Sequence, residues 1–400
     1  MKSREYIIYV LKRVFLEDAY ASILLRKPLV DKEEMGFVSE VVYGTIRNYL
    51  YLENQWRDLA KKVKKETALL IDMSIDQLFF CDSIPHYATL HEAVELAHRQ
   101  EKRFVNFILR EVERRGRIDS KDLYIQYSHP KWIINLWEAH YGEEKAIAIL
   151  KHNQKPALVY GRINALKTTK EEMEKDYPIH FLNEYCFVSD KQIQHMEAFK
   201  EGKVVIQNIS SQKVVEAIRV KKGMKILDVC ASPGTKTQQI AMLMENEGTI
   251  DAFDLYQKRV DLLDELMQKT GVTIVNSGVR DARIKHPKEE YYDRILMDVP
   301  CSGLGDLAHK PEIRWHIQPE DIDEIVSIQQ EILEANCLSL KKGGLFVYST
   351  CTLNKKENEK QIAQFLLKHK EFTLLEEHTL FPDEINGDGF YYAIVRRGVN

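Results

Sequence analysis

The sequence is poor in glycine and proline and has no long apolar run, and each shortage excludes a class of protein. Of its 400 residues, 18 are glycine and 11 are proline, which excludes collagen-like and low-complexity chains. Apolar runs such as residues 7–11 are far shorter than the ~18 residues that a membrane-spanning helix requires. Lys12 and Arg13 interrupt the first apolar stretch before it reaches the length of a secretory signal. We therefore expect a cytoplasmic chain without a membrane segment, long enough for two or three domains.

Cysteine pairs of the kind that bind zinc are also missing. In a cytoplasmic chain disulfides are rare, so we expect free thiols and no bound metal. Most free cysteines are small buried hydrophobic residues, and only those at a cleft are candidates for chemistry. The six cysteines, none of them in a C-x-x-C pair, stand at positions 81, 186, 230, 301, 337 and 351.

Neither sign of charge dominates the sequence. The formal net charge is -4, so an attraction to nucleic acid would have to come from local basic clusters. On charge alone a solvated helix face is the favoured interpretation of such a cluster, and a phosphate-binding patch is the alternative. The two candidate clusters are Lys61, Lys62, Lys64 and Lys65, and Arg110, Arg114, Arg115 and Arg117.

The chain divides into three segments of different pattern. Residues 1–126 have apolar side chains at helical spacing, which predicts an all-α bundle. Residues 127–220 mix short helices and strands between prolines, which predicts a small α+β connector domain. Residues 221–400 alternate strands and helices, which predicts a mostly parallel sheet with helices on both faces and ligands at the carboxyl ends of its strands. Strands of this segment are predicted at Met224–Val229, Thr249–Leu255, Thr273–Asn276, Asp293–Val299 and Gly344–Ser349.

A loop of small residues follows the first of these strands and opens a helix. Small side chains let a ligand approach the backbone closely, and a helix N-terminus favours a negative group such as a carboxylate. The loop has the spacing of neither a Walker phosphate loop nor the three-glycine dinucleotide fingerprint. We predict that it binds a ligand and is not merely a structural turn. Its residues are Cys230, Ala231, Ser232, Pro233, Gly234, Thr235 and Lys236.

Two acidic residues support a nucleoside-type ligand. Asp254 ends the second strand and lies 20 residues after Gly234, the usual offset of an acid that accepts hydrogen bonds from ribose hydroxyls. Asp281 follows the third strand and is a weaker candidate to accept from an adenine amino group. The loop and the acid at this distance together predict a nucleoside-containing cofactor.

The last two predicted strands each deliver a cysteine to the same edge of the sheet. Asp298 interrupts an apolar strand, and a carboxylate in such a place is costly unless it has partners or a function. Cys301 follows it after a proline, and Cys351 follows the next strand. A single cysteine would more often be a buried structural thiol. Two of them beside an acidic strand end favour a catalytic role.

These residues resemble a known family. The runs DVCASPGTKT (228–237), DVPCSG (298–303) and STCTL (349–353) are similar to motifs of the RNA (cytosine-C5)-methyltransferases of the RsmB/Nop type. Residues 204–212 and 387–391 look like the flanking motifs of that family. The helical first segment is similar to the NusB-like RNA-binding domain at the N-terminus of its bacterial RsmB members, best at residues 42–47.

The resemblance implies a Rossmann-like methyltransferase domain with a mostly parallel seven-stranded sheet, and small-subunit (16S) ribosomal RNA as substrate. Cys351 would bond to C6 of a cytosine, because that bond turns C5 into a nucleophile able to take a methyl group. Asp298 would contact the edge of the base near N3, and Cys301 would assist proton removal at C5 or release of the product. S-adenosylmethionine would supply the methyl group. Its binding residues would be those of the loop from Cys230 to Lys236 and Asp254, Arg259, Asp281 and Asp298.

The loop departs from the family pattern at two positions. Ser232 and Thr235 stand where the family usually has an alanine and a glycine. Because threonine does not readily take a positive φ, either Thr235 is already helical or the affinity for the cofactor is altered. Lys236 has two candidate partners, the methionine carboxylate of the cofactor and an adjacent loop.

Two other functions remain open from the sequence. One is the same chemistry on transfer RNA. The other is a non-catalytic RNA-binding factor of ribosome assembly, in which the methyltransferase fold serves as a scaffold. An amino-methyltransferase is disfavoured, because such an enzyme needs no thiol and has a polar Pro-Pro-aromatic loop where this chain has residues 298–301. We expect the protein to act as a monomer.

Overall fold

The computed structural model describes residues 1–26 and 28–399, and the chain forms two compact units. The first unit contains Met1–Pro156 and Leu307–Gln318, and the second contains Ala157–Asp306 and the residues from Pro319 onward. The chain therefore passes between the units three times. The division into domains 1–126, 127–220 and 221–400 stays a prediction.

The first unit is a bundle of helices, as the spacing of apolar residues predicts. On its first helix Tyr6, Ile7, Val10, Leu11 and Val14 are all buried, because they recur on the face that is directed at the core. The helices of this unit are Ser3–Glu17, Ala21–Leu24, Met35–Arg47, Tyr49–Asn54, Lys65–Phe80, His86–Leu96, Lys102–Arg115, Leu123–Gln126, Lys131–Tyr141, Glu143–Asn153 and Ile313–His316, with a 3₁₀ turn at Lys32–Glu34.

The segment 307–318 completes the core of the first unit. Arg314 is fully buried, and its Nη1 donates to the carbonyl oxygen of Ser128 at 3.1 Å. The indole nitrogen of Trp315 donates to the carbonyl oxygen of Ile46 at 2.9 Å. Since both bonds join residues far apart in the chain, the periodicity of the sequence did not indicate this arrangement.

The arginine cluster is largely paired inside the first unit, and the lysine cluster is paired with a carboxylate at Lys64. Lys64 lies 3.2 Å from Glu101, and Arg115 lies 2.8 Å from Asp58. The other charged pairs of the arginine cluster are Arg110 with Glu113 and Arg114 with Glu111. These pairs favour a solvated helix face for the arginine cluster, whereas Lys61, Lys62 and Lys64 precede the helix Lys65–Phe80. A phosphate-binding role for either cluster stays a prediction.

The second unit contains two sheets. Their strands are β1 (Tyr160–Ile163), β2 (Ile179–Phe181), β3 (Cys186–Ser189), β4 (Val204–Ile206), β5 (Lys225–Asp228), β6 (Thr249–Asp254), β7 (Val275–Val279), β8 (Tyr292–Asp298), β9 (Leu340–Thr350), β10 (Phe372–Leu380) and β11 (Phe390–Arg397). A four-stranded antiparallel sheet has the order β2-β3-β1-β4, and a seven-stranded sheet has the order β10-β11-β9-β8-β5-β6-β7. Strands β5 to β9 are parallel, and β10 and β11 are antiparallel, which confirms the mostly parallel Rossmann-like sheet.

Helices cover both faces of the seven-stranded sheet. In β5, Ile226 packs in one core with Ile240, while its neighbour Leu227 packs in the other core with Ile332. This alternation follows from the two-residue period of a strand. The helices of the second unit are Lys170–Asp176, Glu197–Lys200, Ile209–Ala217, Thr235–Leu243, Gln257–Thr270, Asp321–Asn336, Glu359–Lys368 and Pro382–Ile385, with 3₁₀ turns at Ile193–His195 and Cys337–Ser339.

The strand order brings the candidate residues to one edge. The sequence of strands turns back between β5 and β8, and ligands of open α/β sheets bind at the carboxyl ends of strands beside such a switch. Asp228 ends β5, Asp254 ends β6 and Asp298 ends β8. Cys351 follows the last residue of β9. The described residues contain no helix long and apolar enough to cross a bilayer.

Candidate active site

A cavity of about 440 Å³ opens at this edge of the sheet. Its wall contains eight of the residues that the sequence analysis singled out: Cys230, Ser232, Asp254, Arg259, Asp281, Asp298, Cys301 and Cys351. The remaining five belong to the loop but not to the wall: Ala231, Pro233, Gly234, Thr235 and Lys236. The sequence-predicted residues are thus brought together in space, although their individual roles stay predictions.

The loop after β5 places its unusual backbone at Gly234. This glycine has a φ of +99°, and a Cβ atom on it would lie 2.6 Å from Cδ1 of Leu263. The peptide bond between Ser232 and Pro233 is cis. Thr235 is the first residue of the helix Thr235–Leu243 and needs no positive φ. Of the two possibilities that the sequence left open, the structure therefore has the helical one.

Asp254 ties this loop to the next strand. Its Oδ2 accepts from the backbone nitrogen of Ser232 at 3.2 Å, and its Oδ1 accepts from Nε of Arg259 at 2.8 Å. Nη2 of Arg259 also donates to the carbonyl oxygen of Ser232 at 3.3 Å. The carboxylate is nearly buried, at 5% exposure, and lines the cavity. It is therefore a hydrogen-bond acceptor fixed in the wall of the cavity.

Asp281 lies on the same wall and is held by an arginine. Nη2 of Arg283 donates to Oδ2 of Asp281 at 2.7 Å, and Nε of Arg283 donates to Oδ1 at 3.0 Å. These hydrogen bonds hold the pKa of Asp281 below its usual value. Asp281 is thus an ionised hydrogen-bond acceptor. It follows β7, which is separated from β9 in the sheet by the three strands β8, β5 and β6.

Lys236 has a partner within the protein. Its Nζ lies 2.8 Å from Oδ2 of Asp298, whose Oδ1 accepts from Oγ of Ser349 at 2.7 Å. Burial lowers the pKa of Lys236, but the carboxylate of Asp298 outweighs it, so that the pKa is raised. The contact is with the end of β8, which corresponds to the adjacent-loop alternative of the sequence analysis.

The two candidate cysteines face each other. Sγ of Cys301 lies 3.2 Å from Sγ of Cys351, within reach of an S–H···S hydrogen bond, and both line the cavity. The contact with Cys351 and burial raise the pKa of Cys301 well above its usual value. Either sulfur can be the donor in this contact, and a thiol of raised pKa at Cys301 can donate to the sulfur of Cys351.

The other cysteines outside the cofactor loop are structural. Burial raises the pKa of Cys186 to about 11, and that of Cys81 and Cys337 to about 12. All three are buried thiols in the packed interior, which is the usual place of a free cysteine.

A glycine pair fixes the backbone at Cys351. The nitrogen of Gly305 donates to the carbonyl oxygen of Cys351 at 3.0 Å, and the nitrogen of Gly389 donates to the carbonyl oxygen of Gly305 at 2.8 Å. A Cβ atom on Gly305 would lie 1.9 Å from the carbonyl oxygen of Gly389. The flanking run at 387–391 thus supports the second cysteine, a function that the sequence alone did not indicate.

Gly305→Ala is expected to lower the free energy of unfolding by about 1–3 kcal/mol, because the new methyl group meets backbone that cannot move aside easily. Urea unfolding measures the change. Gly36→Ala is the matched control, since no atom lies within 4 Å of the Cβ that it adds. Equal stability of the two variants would contradict the tight packing at Gly305.

Two buried polar residues of this edge were missed. Asp228 is buried beside the loop, and its Oδ2 accepts from Oγ1 of Thr237 at 2.8 Å; burial raises its pKa to about 7. Glu357 is fully buried, although the run Lys-Lys-Glu-Asn-Glu-Lys at 355–360 looks like a solvated surface segment. The signal that could have found it is its position six residues after the candidate cysteine.

Comparisons with known proteins agree on one family. Residues 215–396 match the family described as 16S rRNA methyltransferase RsmB/F, residues 1–114 match the NusB family, and residues 129–176 match a ferredoxin-like domain described as Methyltr_RsmF/B-like. A probable ribosomal RNA small subunit methyltransferase B of Bacillus subtilis (strain 168) is 32% identical over 398 residues, covering 92% of this chain and 89% of the relative.

Solved structures share the fold. The crystal structure of PH0851 covers 99% of both chains with a TM-score of 0.83 and 22% sequence identity. That of NSun6 from Pyrococcus horikoshii covers 68% of this chain and 98% of its own, with a TM-score of 0.60 and 21% identity.

Proposed function

Because this chain belongs to the RsmB/F family of rRNA methyltransferases, we propose that it transfers a methyl group from S-adenosylmethionine to C5 of a cytosine in 16S ribosomal RNA. The observation that carries this proposal is the pair of sulfurs, 3.2 Å apart, in the wall of one cavity with Asp298. A methyltransferase that acts on an amine would need neither thiol. A covalent bond between Cys351 and the base gives both thiols a role, because Cys351 forms the bond and Cys301 assists its breaking.

The cavity fits the proposed methyl donor. Asp254 offers a fixed carboxylate for ribose hydroxyls, and Asp281 offers an ionised acceptor for an amino group, as an adenosine requires. Cys230 and Ser232 of the loop line the cavity directly before the start of the helix Thr235–Leu243, where a negative group is favoured. When bound, S-adenosylmethionine supplies an electrophilic methyl group. The absence of a metal from the reaction stays a prediction.

The proposed reaction begins at Cys351. The thiol proton of Cys351 passes to N3 as the sulfur adds to C6, and the electrons of the C5–C6 double bond make C5 nucleophilic enough to take the methyl group, which leaves S-adenosylhomocysteine. Asp298 holds the edge of the base near N3, where the adduct is protonated, and Lys236 fixes the position of this carboxylate. The C5 proton then passes to solvent water, its electron pair re-forms the C5–C6 double bond as the bond between C6 and sulfur breaks, and the proton from N3 restores the thiol of Cys351.

Cys301 acts in the last of these steps. Its retained S–H donates a hydrogen bond to the sulfur that leaves C6, which stabilises the thiolate as it forms. The proposal therefore assigns different roles to two chemically identical side chains, because only one of them is expected to bond to the base.

Bisulfite sequencing of small-subunit ribosomal RNA tests the function directly. Cells that lack the protein are expected to lose one 5-methylcytosine, and expression of the chain is expected to restore it. A pattern unchanged in ribosomal RNA but altered in transfer RNA would favour the transfer RNA alternative. The location in the cytoplasm and the monomeric state also stay predictions.

The departures of the cofactor loop from the family pattern, at Ser232 and Thr235, would favour the non-catalytic alternative if they disturbed the loop. Thr235 begins a helix, so the substitution places no strain on the loop, and the observation no longer favours that reading. Equilibrium dialysis with labelled S-adenosylmethionine distinguishes the two. Saturable binding is expected, and a chain that fails to bind would favour the assembly factor.

Asp254→Ala is expected to weaken binding of S-adenosylmethionine about 10- to 100-fold, because it removes charged hydrogen bonds to the loop and to the ribose. Isothermal titration calorimetry measures the dissociation constant. Asp261→Ala, an exposed acid on the helix Gln257–Thr270, is the control and should bind normally. Unchanged affinity of the Asp254 variant would remove this residue from the proposed site.

A further inference from the structure

Glu357 joins the two loops that carry the cysteines. One of its carboxylate oxygens accepts from the backbone nitrogen of Ser302 at 2.8 Å, and the other accepts from Oγ of Ser302 at 2.6 Å. Ser302 follows Cys301 directly. Oγ of Ser302 also lies 2.7 Å from Oγ1 of Thr352, which follows Cys351 directly. The residue after each cysteine is thus part of one buried network.

Further donors fix the carboxylate itself. Nδ2 of Asn354 donates to Glu357 at 2.9 Å, and Nε2 of Gln329 donates at 3.2 Å. The same nitrogen of Gln329 donates to the carbonyl oxygen of Pro300 at 2.9 Å. A fully buried acid is costly, and four hydrogen bonds at a single carboxylate are what compensates for the cost.

The network is suited to a carboxylate and not to an amide. The backbone nitrogen of Ser302 can only donate. The amide oxygens of Asn354 and Gln329 accept from Lys356 and Gln361, both at 3.1 Å, so that their NH₂ groups are directed at Glu357 and an acceptor is required at both of its oxygens. Glutamine has the same shape but would direct an NH₂ group at some of these donors. The chemistry of the site therefore selects an acid at position 357.

We infer that Glu357 is a positioning residue for the reaction: by holding Ser302 it sets the direction in which the S–H of Cys301 meets the sulfur of Cys351. The inference rests on the proposed function, in which this contact assists release of the product. Glu357 itself does not touch the substrate and neither gains nor loses a proton in the reaction. The effect of Glu357 falls on the release step, because Cys301 takes no part in the attack of Cys351 on C6.

Glu357→Gln tests the inference with the full-length protein and a substrate RNA. We expect kcat to fall at least tenfold with KM for RNA nearly unchanged, and enzyme bonded to RNA to accumulate on denaturing gels. A purely structural role would lower the active fraction, so that adduct and turnover would fall together. A fall of both in proportion would overturn the inference.

Two comparisons complete the test. Glu359→Gln makes the same change two residues further on, where the side chain contacts Thr379 and not Ser302, and it should leave release unchanged. The double variant Ser302→Ala and Glu357→Gln should release product no more slowly than Glu357→Gln alone, because both substitutions break one linkage. Additive effects would argue against a shared linkage.

The Cys301→Ala variant distinguishes a failure of the inference about Glu357 from a failure of the proposed function. If Cys301→Ala accumulates an adduct and Glu357→Gln does not, the inference about Glu357 fails while the proposed function stands. If neither variant nor the unaltered protein forms an adduct, the proposed covalent reaction fails, and with it the basis of the inference.

Discussion

Cys351→Ala is expected to abolish methyl transfer, with a loss of at least ~10⁴-fold in kcat. Without a sulfur at C6, C5 of cytosine stays a poor nucleophile, and the remaining residues of the cavity can bind the reactants but cannot activate the base. A radiolabelled methyl-transfer assay on ribosomal RNA measures the loss. Binding of S-adenosylmethionine should be unaffected, because the cofactor loop follows β5 whereas Cys351 follows β9.

The control for this variant is another cysteine. Cys337→Ala removes a thiol that is buried away from the cavity, and the enzyme should keep most of its activity. A Cys351→Ala protein that still methylates RNA would eliminate the covalent mechanism, whatever the outcome for the other cysteines.

Cys301→Ala is expected to accumulate a covalent complex with RNA, whereas Cys351→Ala is expected to form none. The sulfur of Cys351 can still attack C6, but the S–H donor 3.2 Å away is missing when the bond must break. We expect enzyme and RNA to remain joined, in amounts approaching one RNA per enzyme, and to migrate together on a denaturing gel. Turnover should be strongly reduced.

The trapped species has a clear chemical signature. It should require both S-adenosylmethionine and Cys351, so that the double variant Cys301→Ala and Cys351→Ala forms none. Digestion followed by mass spectrometry should locate the modified nucleotide on the peptide that contains Cys351. A trapped peptide containing another cysteine would reassign the nucleophile.

The residues that follow the strands could be predicted from the sequence because local pattern determines them. A buried strand followed by small residues and a helix defines the cofactor loop, and Asp254 lies at a typical distance from it. The parallel sheet then brings Asp298, Cys301 and Cys351 to the same edge. The strand predicted at Thr273–Asn276 begins two residues and ends three residues before β7, because Asn276, Ser277 and Gly278 weaken the apolar pattern.

Contacts between distant parts of the chain could not be predicted in this way. The pairing of Lys236 with Asp298 depends on side-chain directions at the ends of two strands, which spacing does not specify. Glu357 lies in a run of charges that is typical of a surface, yet the folded chain buries it completely. Strand β10 was missed by the residue pattern because most of its side chains are exposed, so it lacks the apolar alternation of a half-buried strand.

The return of the chain at residues 307–318 restricts how evolution or an experimenter can exchange the helical part of the protein. A front piece cut at Pro156 would leave the carbonyl oxygens of Ile46 and Ser128 without the donors supplied by Trp315 and Arg314. The remaining piece would expose the indole and the guanidinium instead. Any chimera between relatives must therefore transplant two separate stretches of sequence from the same parent, and the second of these begins only six residues after Cys301.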